Sequence, residues 1–301
     1  MKFSIVTPAH NAERWIRETI ESVLSQRGDF SIEYILCDGG STDTTPEIIQ
    51  EYVDKIQHGT IRIACHAVTI RWSSQRDGGM YEAINRGFST ATGDVYAWIN
   101  ADDRYEPEAF HHIQTALEAH PEIRWIKGMT QTIDEHGSVV RPGTCHLYYQ
   151  DWLRQGLYGQ EAYYVEQDSV FWTAALWKEI GAIPPELRFA GDYWLWIQFA
   201  RLAPLWSLQA LVSSFRKRHG QLSRDIARYK TEQHAIRPKR TLLAWCARLF
   251  FGAQARLSAL YRPAEPLFAR LYPYVFRRTQ AYLTYRAGQI VKKTTSSMNA
   301  E

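Results

Sequence analysis

The sequence predicts an α/β protein built on a mostly parallel sheet with helices on both faces. Three observations support this. Short apolar runs alternate with helix-period patterns through the first hundred residues, as in successive βαβ units. Polar residues gather directly after each run, where the carboxyl ends of parallel strands fall. The composition, 45% hydrophobic and 22% charged over 301 residues, is that of a globular chain long enough for a sizeable core. It excludes disordered, collagen-like and disulfide-scaffold classes.

Phe3–Thr7 is the first apolar run, and Asn11 is placed to cap the following helix, whose Ile16, Ile20, Val23 and Leu24 share one face. Ile32–Cys37 is the second strand. Thr45-Pro46 supplies a cap and an early proline for a helix carrying Ile49, Tyr52, Val53 and Ile56 inward. Val68–Trp72 reads as a third strand, Met80, Ile84, Gly87 and Phe88 as another helix, and Val95–Ile99 as a further buried strand. Beyond residue 120 the pattern becomes an antiparallel hairpin, Trp125–Ile133 and Val139-Val140 about a turn at Asp134–Gly137. An aromatic stretch follows (Tyr148, Tyr149, Trp152, Tyr158, Tyr163, Tyr164), then a helix over Gly191–Leu202. There is no internal repeat and no low-complexity tract.

The formal net charge of +3 conceals a division along the chain. Residues 1–212 hold 17 Lys and Arg against 28 Asp and Glu, a balance of −11, whereas residues 213–301 hold 18 against 4, a balance of +14. Opposite charges imply different kinds of partner for the two parts. Cys37, Cys65, Cys145 and Cys246 show no metal-ligand spacing and read as reduced cytoplasmic thiols. The opening residues are interrupted too early for a signal peptide, and Thr241–Tyr261, the longest apolar candidate, is broken by Arg248 and Arg256.

Chemistry is expected at the strand ends. They carry Thr7-Pro8-Ala9-His10-Asn11, Asp38-Gly39-Gly40-Ser41-Thr42-Asp43, Gln75-Arg76-Asp77-Gly78-Gly79 and Asn100-Ala101-Asp102-Asp103. Carboxylates converging on one rim repel unless a base, a sugar hydroxyl or a cation lies between them. Asp102-Asp103 after a buried strand suits a divalent cation held against a diphosphate. The plain alternative is a cap for a helix at Pro107. Asp38 can accept a base imide N–H or a ribose hydroxyl, and Gly39-Gly40 also suits a simple tight turn. Neither a GxGxxG fingerprint nor a GxxxxGK[ST] loop is present, which removes support for hydride transfer and ATP-driven chemistry.

Taken together, residues 5–11, 38–43, 77–87, 91–94 and 100–103 resemble the inverting family 2 glycosyltransferases, and most resemble bacterial members that build cell-surface polysaccharides. The likeness continues through Gln167–Trp172, Gly191–Trp196 and Phe215–Ser223, and so covers about residues 3–223. It implies a GT-A fold over residues 1–220 as the catalytic domain, a hexosyltransferase-type activity, and a nucleotide-diphosphate-sugar donor, typically a UDP-sugar. By motif position, Thr7, Pro8, Asn11, Asp38, Ser41, Asp77 and Asp102 shape the nucleotide-sugar pocket. Asp102 and Asp103 hold Mn2+ or Mg2+. Where many relatives have Asp-x-Asp-Asp this chain has Asn100, which brings no charge and makes weak metal dependence conceivable. Asp192 falls at the family's catalytic acid-residue position, and its alternative is a helix cap. Relatives usually have Glu-Asp where this chain has Gly191-Asp192. Arg216, Lys217 or His219 would meet the leaving diphosphate, with a mere loop histidine as the alternative at His219. Gln167, Asp168, Trp194 and Trp196 either line the acceptor side or belong to the core.

Residues 221–301 read as a basic amphipathic helical extension. Leu242, Leu243, Trp245, Leu249, Phe250 and Phe251 mix with Lys239, Arg240, Arg248, Arg256 and Arg262. Leu271–Lys293 has the same character. That composition suits helices lying on an anionic membrane surface, and packing on the first domain or in a homodimer is the alternative. No nucleic-acid partner is expected. With a glycan or lipid-linked acceptor, the expected location is cytoplasmic, at the inner face of the cell membrane. Two other classes compete: a sugar-nucleotide nucleotidyltransferase, which would need a basic glycine-rich triphosphate loop that Thr7–Asn11 lacks, and a non-catalytic membrane adaptor, which leaves the acidic rim without purpose.

Overall fold

The computed structural model of the chain describes residues 1–159, 163–221, 225–239, 241–242, 245, 249–250, 253, 281–286 and 289–294. The predicted alternation forms as β1 (Lys2–Ala9), α1 (Ile16–Leu24), β2 (Ser31–Asp38), α2 (Thr45–Gln57), β3 (Ala67–Ser74), α3 (Met80–Ser89) and β4 (Val95–Trp98). It continues through β5 (Arg104–Tyr105), α4 (Ala109–Ala119), β6 (Trp125–Ile133), β7 (Val139–Arg141) and α5 (Gln150–Arg154). A single 3-10 turn at Gln167–Ser169 leads into β8 (Val170–Thr173), α6 (Ala174–Ile180), α7 (Gly191–Leu202), β9 (Trp206–Arg216) and α8 (Ile226–Ile236). The last described elements are β10 (Ala281–Arg286) and β11 (Gln289–Thr294).

The eleven strands among the described residues join one sheet, in the order β11-β10-β9-β6-β8-β4-β1-β2-β3, with β5 paired to β9 and β7 to β6. β3, β2, β1 and β4 are mutually parallel. β8 runs antiparallel between β4 and β6, which restores the common direction to β6 and β9. Consequently Ala9, Asp38, Ser74, Trp98, Ile133 and Arg216 end at the same edge, and the start of β8 lies there too. That edge is where a parallel sheet offers its ligand site.

Alternate residues of the central strands feed two cores. On one face Phe3, Ile5, Val95 and Ala97 pack with Ile16, Ile20, Ile49 and Phe110 from α1, α2 and α4. On the other, Val6, Tyr96 and Trp98 meet Ile84, Trp172, Trp196 and Phe199. Indole rings dominate this second face: Trp98 stacks on Trp196 with centroids 5.8 Å apart, and Trp125 lies 5.8 Å from the same ring. Trp196, one of the two readings left open by sequence, is therefore core. It is 3% exposed.

Four local expectations change. Asn11 does not cap α1, which starts five residues later at Ile16; it adopts the left-handed region at φ 48° and serves the neighbouring loop instead. α2 begins at Thr45, where Asp43 Oδ1 accepts the Thr45 N–H at 3.0 Å. Asp102-Asp103 does not cap a helix at Pro107, because β5 intervenes and α4 starts only at Ala109. Finally, the extension is not helical throughout: residues 281–286 and 289–294 form an antiparallel hairpin that continues the sheet beyond β9. Its alternation of Tyr282, Thr284 and Lys292 with apolar residues suits a strand once a sheet edge is available.

Candidate active site

The loops after β1 and β2 are tied together by side-chain to backbone bonds. Ser41 Oγ accepts the Asn11 N–H at 2.8 Å, and Asn11 Oδ1 accepts the Thr42 N–H at 2.9 Å. Asp38, fully buried, organises this turn: its carboxylate accepts the N–H groups of Gly40 and Ser41, both at 3.1 Å, and the hydroxyls of Ser41 and Ser74. Both oxygens are thus engaged by the chain itself. Thr7 is fully buried with its hydroxyl 3.0 Å from that of Tyr34, and Pro8 is buried in β1. These residues shape the rim from beneath, while Asn11 and the turn backbone form its surface.

Asp77 and Arg86 supply the unsatisfied groups. Asp77 Oδ1 accepts the Gly79 N–H at 3.0 Å, whereas Oδ2 is buried without a hydrogen bond, 3.6 Å from Arg86 Nη2. Arg86 donates to the Asp38 carbonyl at 3.2 Å, but its Nε and Nη1 have no acceptor. Buried polar atoms left unpaired in a cleft mark a place for a polar ligand. The sequence pattern contained Arg86 without singling it out. Gly79 precedes α3 at φ 131°, a backbone conformation that residues with a Cβ rarely adopt.

The Asn100–Asp103 segment follows β4 at the same edge of the sheet. Asp103 is 1% exposed; Oδ1 accepts the Arg216 N–H at 2.8 Å and Oδ2 the Asn100 amide at 3.2 Å. Burial first, then the Asp102 and Asp168 charges, hold its carboxyl well above the ordinary range. Asp168, pushed up to about 6 by burial, accepts from Ser213. Asp102 keeps one oxygen open, and its Oδ2 takes Arg218 Nε at 2.5 Å. Arg218 also lies over the Trp15 ring, 4.9 Å from its centroid.

Among the described residues no group of three or more His, Cys, Asp or Glu side chains stands together to hold a metal. Asp103, expected as a ligand, already accepts one internal hydrogen bond on each oxygen. What remains is Asp102 and the buried, unpartnered Oδ1 of Asn100. Those hard oxygens fit Mg2+ or Mn2+ bound through one carboxylate and a substrate's phosphates, not a cage made by protein alone. Arg216, expected to meet the diphosphate, is turned inward. Its guanidinium is 1% exposed and bonded to the carbonyls of Asp102 and Asp134 and to Glu18. Arg218, two residues on, faces Asp102 instead. His219 is an exposed loop residue whose N–H meets Glu135 at 2.8 Å. Gln167 donates to the Trp98 carbonyl at 2.6 Å.

Asp192 occupies the first turn of α7, behind Ala190, so it is not the N-cap. Oδ1 accepts three donors: the Tyr193 N–H at 2.8 Å, the Tyr229 hydroxyl at 3.1 Å and the Tyr81 hydroxyl at 3.3 Å. Oδ2 has only the forked Tyr229 contact at 3.3 Å. Burial raises this carboxyl to about 6, opposed by those hydrogen bonds. Tyr81 lies in α3, two residues beyond Gly79, and so connects Asp192 to the Asp77 pocket. The same ring explains Gly191: a Cβ there would come within 2.8 Å of Tyr81 Cε1 and of Ile183 Cγ2.

Comparison with known proteins bears on the fold and the family. An uncharacterized glycosyltransferase of Rickettsia felis is 27% identical over 247 residues, covering 77% of this chain and 37% of its own length. One from Rickettsia typhi is 27% identical over 209 residues, covering 67% and 60%. The chain thus spans between 37% and 60% of the length of these curated relatives. Among solved structures, S. aureus TarS 1–349 in complex with UDP-GlcNAc superposes with a TM-score of 0.59 at 17% identity, covering 90% of this chain and 79% of TarS 1–349. The mannosyltransferase PcManGT from Pyrobaculum calidifontis, in complex with GDP-Man and Mn2+, gives 0.55 at 17% identity, covering 91% and 75%. At such identities the likeness shows the fold, which is GT-A. The Glycosyl transferase family 2 model matches residues 4–157, and with that match the chain belongs to glycosyl transferase family 2.

Proposed function

We propose that this chain is an inverting glycosyltransferase that moves one sugar from a nucleotide diphosphate, UDP in the first instance, to a hydroxyl of a glycan or lipid-linked acceptor in surface-polysaccharide assembly. The observation that carries the reading is the pairing of two sites. Buried, unsatisfied atoms of Asp77 and Arg86 mark one, and Asp192, whose Oδ2 has only the 3.3 Å Tyr229 contact and which lines a small cavity with Tyr164, Trp196 and Tyr229, marks the other. Asp192 Oδ2 takes the proton of the acceptor hydroxyl as the hydroxyl oxygen attacks the anomeric carbon, and the C–O bond to the diphosphate breaks with its electron pair on the leaving group. A general base held near pH 6 is unprotonated at neutral pH. Arg218 stands beside Asp102 to meet the developing diphosphate charge. A divalent cation, held by Asp102 and Asn100, would add Lewis-acid stabilisation there.

The test is a panel of nucleotide sugars scored by thermal stabilisation with and without Mn2+, then calorimetry on the best binder. Arg86→Ala is expected to weaken nucleotide binding roughly 10- to 100-fold through loss of a charge-assisted contact. Asp102→Ala is expected to abolish any gain in affinity that Mn2+ gives. A panel with no stabilising nucleotide sugar would overturn the reading.

The extension supports a membrane-surface location. No helix among the described residues is long and apolar enough to cross a membrane. Leu242, Trp245 and Leu249 are 81%, 50% and 70% exposed, at spacings that share one helical face. We expect the protein to float with vesicles rich in anionic lipid and to be released by salt. Absence from the floated fraction at low salt removes this part and favours packing or a homodimer.

A further inference from the structure

Helix α8 lies outside the residues that match the family model, yet it reaches the centre of the site. Its start is fixed by Asp225, whose side chain accepts the Arg228 N–H at 3.1 Å. One turn in, the Tyr229 hydroxyl contacts both oxygens of Asp192 at 3.1 and 3.3 Å. Three residues later, on the same helical face, Glu232 accepts the N–H groups of Arg188 and Phe189, each at 2.8 Å, and that of Ala190. Those are the residues that lead into α7, so one carboxylate satisfies the donors entering the helix that bears Asp192. A carboxylate at a helix N-terminus is also favoured by the helix dipole.

We infer that α8 is part of the catalytic apparatus, with Tyr229 as a positioning residue that orients the Asp192 carboxylate and Glu232 as the anchor that holds α8 in place. This rests on Asp192 being the base. The geometry gives the physical reason. Three donors on Oδ1 fix the plane of the carboxylate, and the forked Tyr229 hydroxyl sets its rotation, so that Oδ2 is the oxygen left to accept a proton. Burial keeps the Tyr81 and Tyr229 hydroxyls protonated far beyond neutral pH; the one proton of Tyr81 is divided between the Phe189 carbonyl at 3.0 Å and Asp192 at 3.3 Å, which leaves Tyr229 as the firmer side-chain donor to Asp192. The groups facing Asp192 are Tyr81 from α3, Tyr229 from α8 and Tyr164 from the segment before the 3-10 turn. Nearby charges look elsewhere: Glu232 faces the 188–190 backbone, Arg188 the Gly78-Gly79 turn, and Arg228 the Phe189 ring.

The hydrogen bond from Tyr229 favours the charged carboxylate, so its removal must raise the proton affinity of Asp192. The experiment is a titration of the Asp192 carboxyl 13C resonance in the full chain, assigned by its loss in Asp192→Asn. Wild type is expected to titrate near 6, and Tyr229→Phe about one unit higher. Glu232→Gln, which keeps shape but weakens the anchor, is expected to move the midpoint the same way by less. The acid limb of nucleotide-sugar hydrolysis is expected to move in parallel, so that Tyr229→Phe loses about tenfold more at pH 5 than on its plateau. Superimposable titrations of wild type and both variants would overturn the role of α8. Retained turnover in Asp192→Asn would instead remove Asp192 as base, whatever Tyr229→Phe does to the resonance.

Discussion

Asp192→Asn is expected to lower turnover by about 10^2- to 10^4-fold while leaving the affinity for donor nucleotide unchanged. The substitution is isosteric. An Asn Oδ1 can still accept the Tyr193 N–H, which it meets at 2.8 Å in the native residue, so the first turn of α7 keeps its geometry. What disappears is the one oxygen able to take up a proton. The unsatisfied atoms proposed to meet the donor nucleotide belong to Asp77 and Arg86, neither of which bonds to Asp192. Donor affinity and turnover should therefore separate cleanly. In wild type the rate is expected to rise with pH through about 6, because the base acts unprotonated and burial has lifted it there. Rapid-quench turnover with calorimetry on the same preparation checks both parts. Wild-type-like turnover in the variant would show that another group accepts the proton.

Arg216→Met is expected to destabilise the fold by about 1–3 kcal/mol, the usual cost of leaving buried carbonyl acceptors unsatisfied, since the Glu18 side chain that would lose its partner is 39% exposed. The guanidinium donates to the carbonyl of Asp102 at 2.8 Å, to those of Asp134 and Glu135 at 3.2 and 3.4 Å, and to Glu18. It thereby joins the end of β9, the segment after β4, the β6–β7 turn and helix α1. Methionine fills the volume but satisfies none of these acceptors. Arg216→Lys should recover little, because a single ammonium cannot span acceptors arranged around a planar fork. Urea unfolding of the three proteins measures the differences. A loss below about 1 kcal/mol in Arg216→Met would mean that water replaces the guanidinium.

The parallel half of the sheet was legible because its signals are local. Phe3–Thr7, Ile32–Cys37 and Val95–Ile99 are apolar on both faces, and the helices between them carry a clear 3.6-residue stripe. β9 was not legible for a physical reason: its buried Ser207, Ser213 and Ser214 are satisfied by His146, Asp168 and Glu106, partners distant in sequence. A buried strand that is polar in this way looks like a loop. In the site, the acidic positions could be located from sequence, but which oxygens remained open could not. Asp38 and Asp103 turned inward, and Arg216 was consumed while Arg218 stayed available. Tyr229 gave no signal at all, since its partner lies 37 residues earlier in the chain.

The β10–β11 hairpin gives the sheet a dependence on the order of synthesis. β10 pairs with β9 through Leu283 opposite Leu208 and Thr284 opposite Gln209, so one edge of the sheet is completed by residues translated long after the strand they cover. Until then β9 has an unpaired side, the kind of exposed edge that recruits other chains. At about 5–20 residues per second the gap lasts several seconds on the ribosome. A nascent chain in this window presents a nearly finished site with one raw flank. The hairpin thus works as a late closure of that edge.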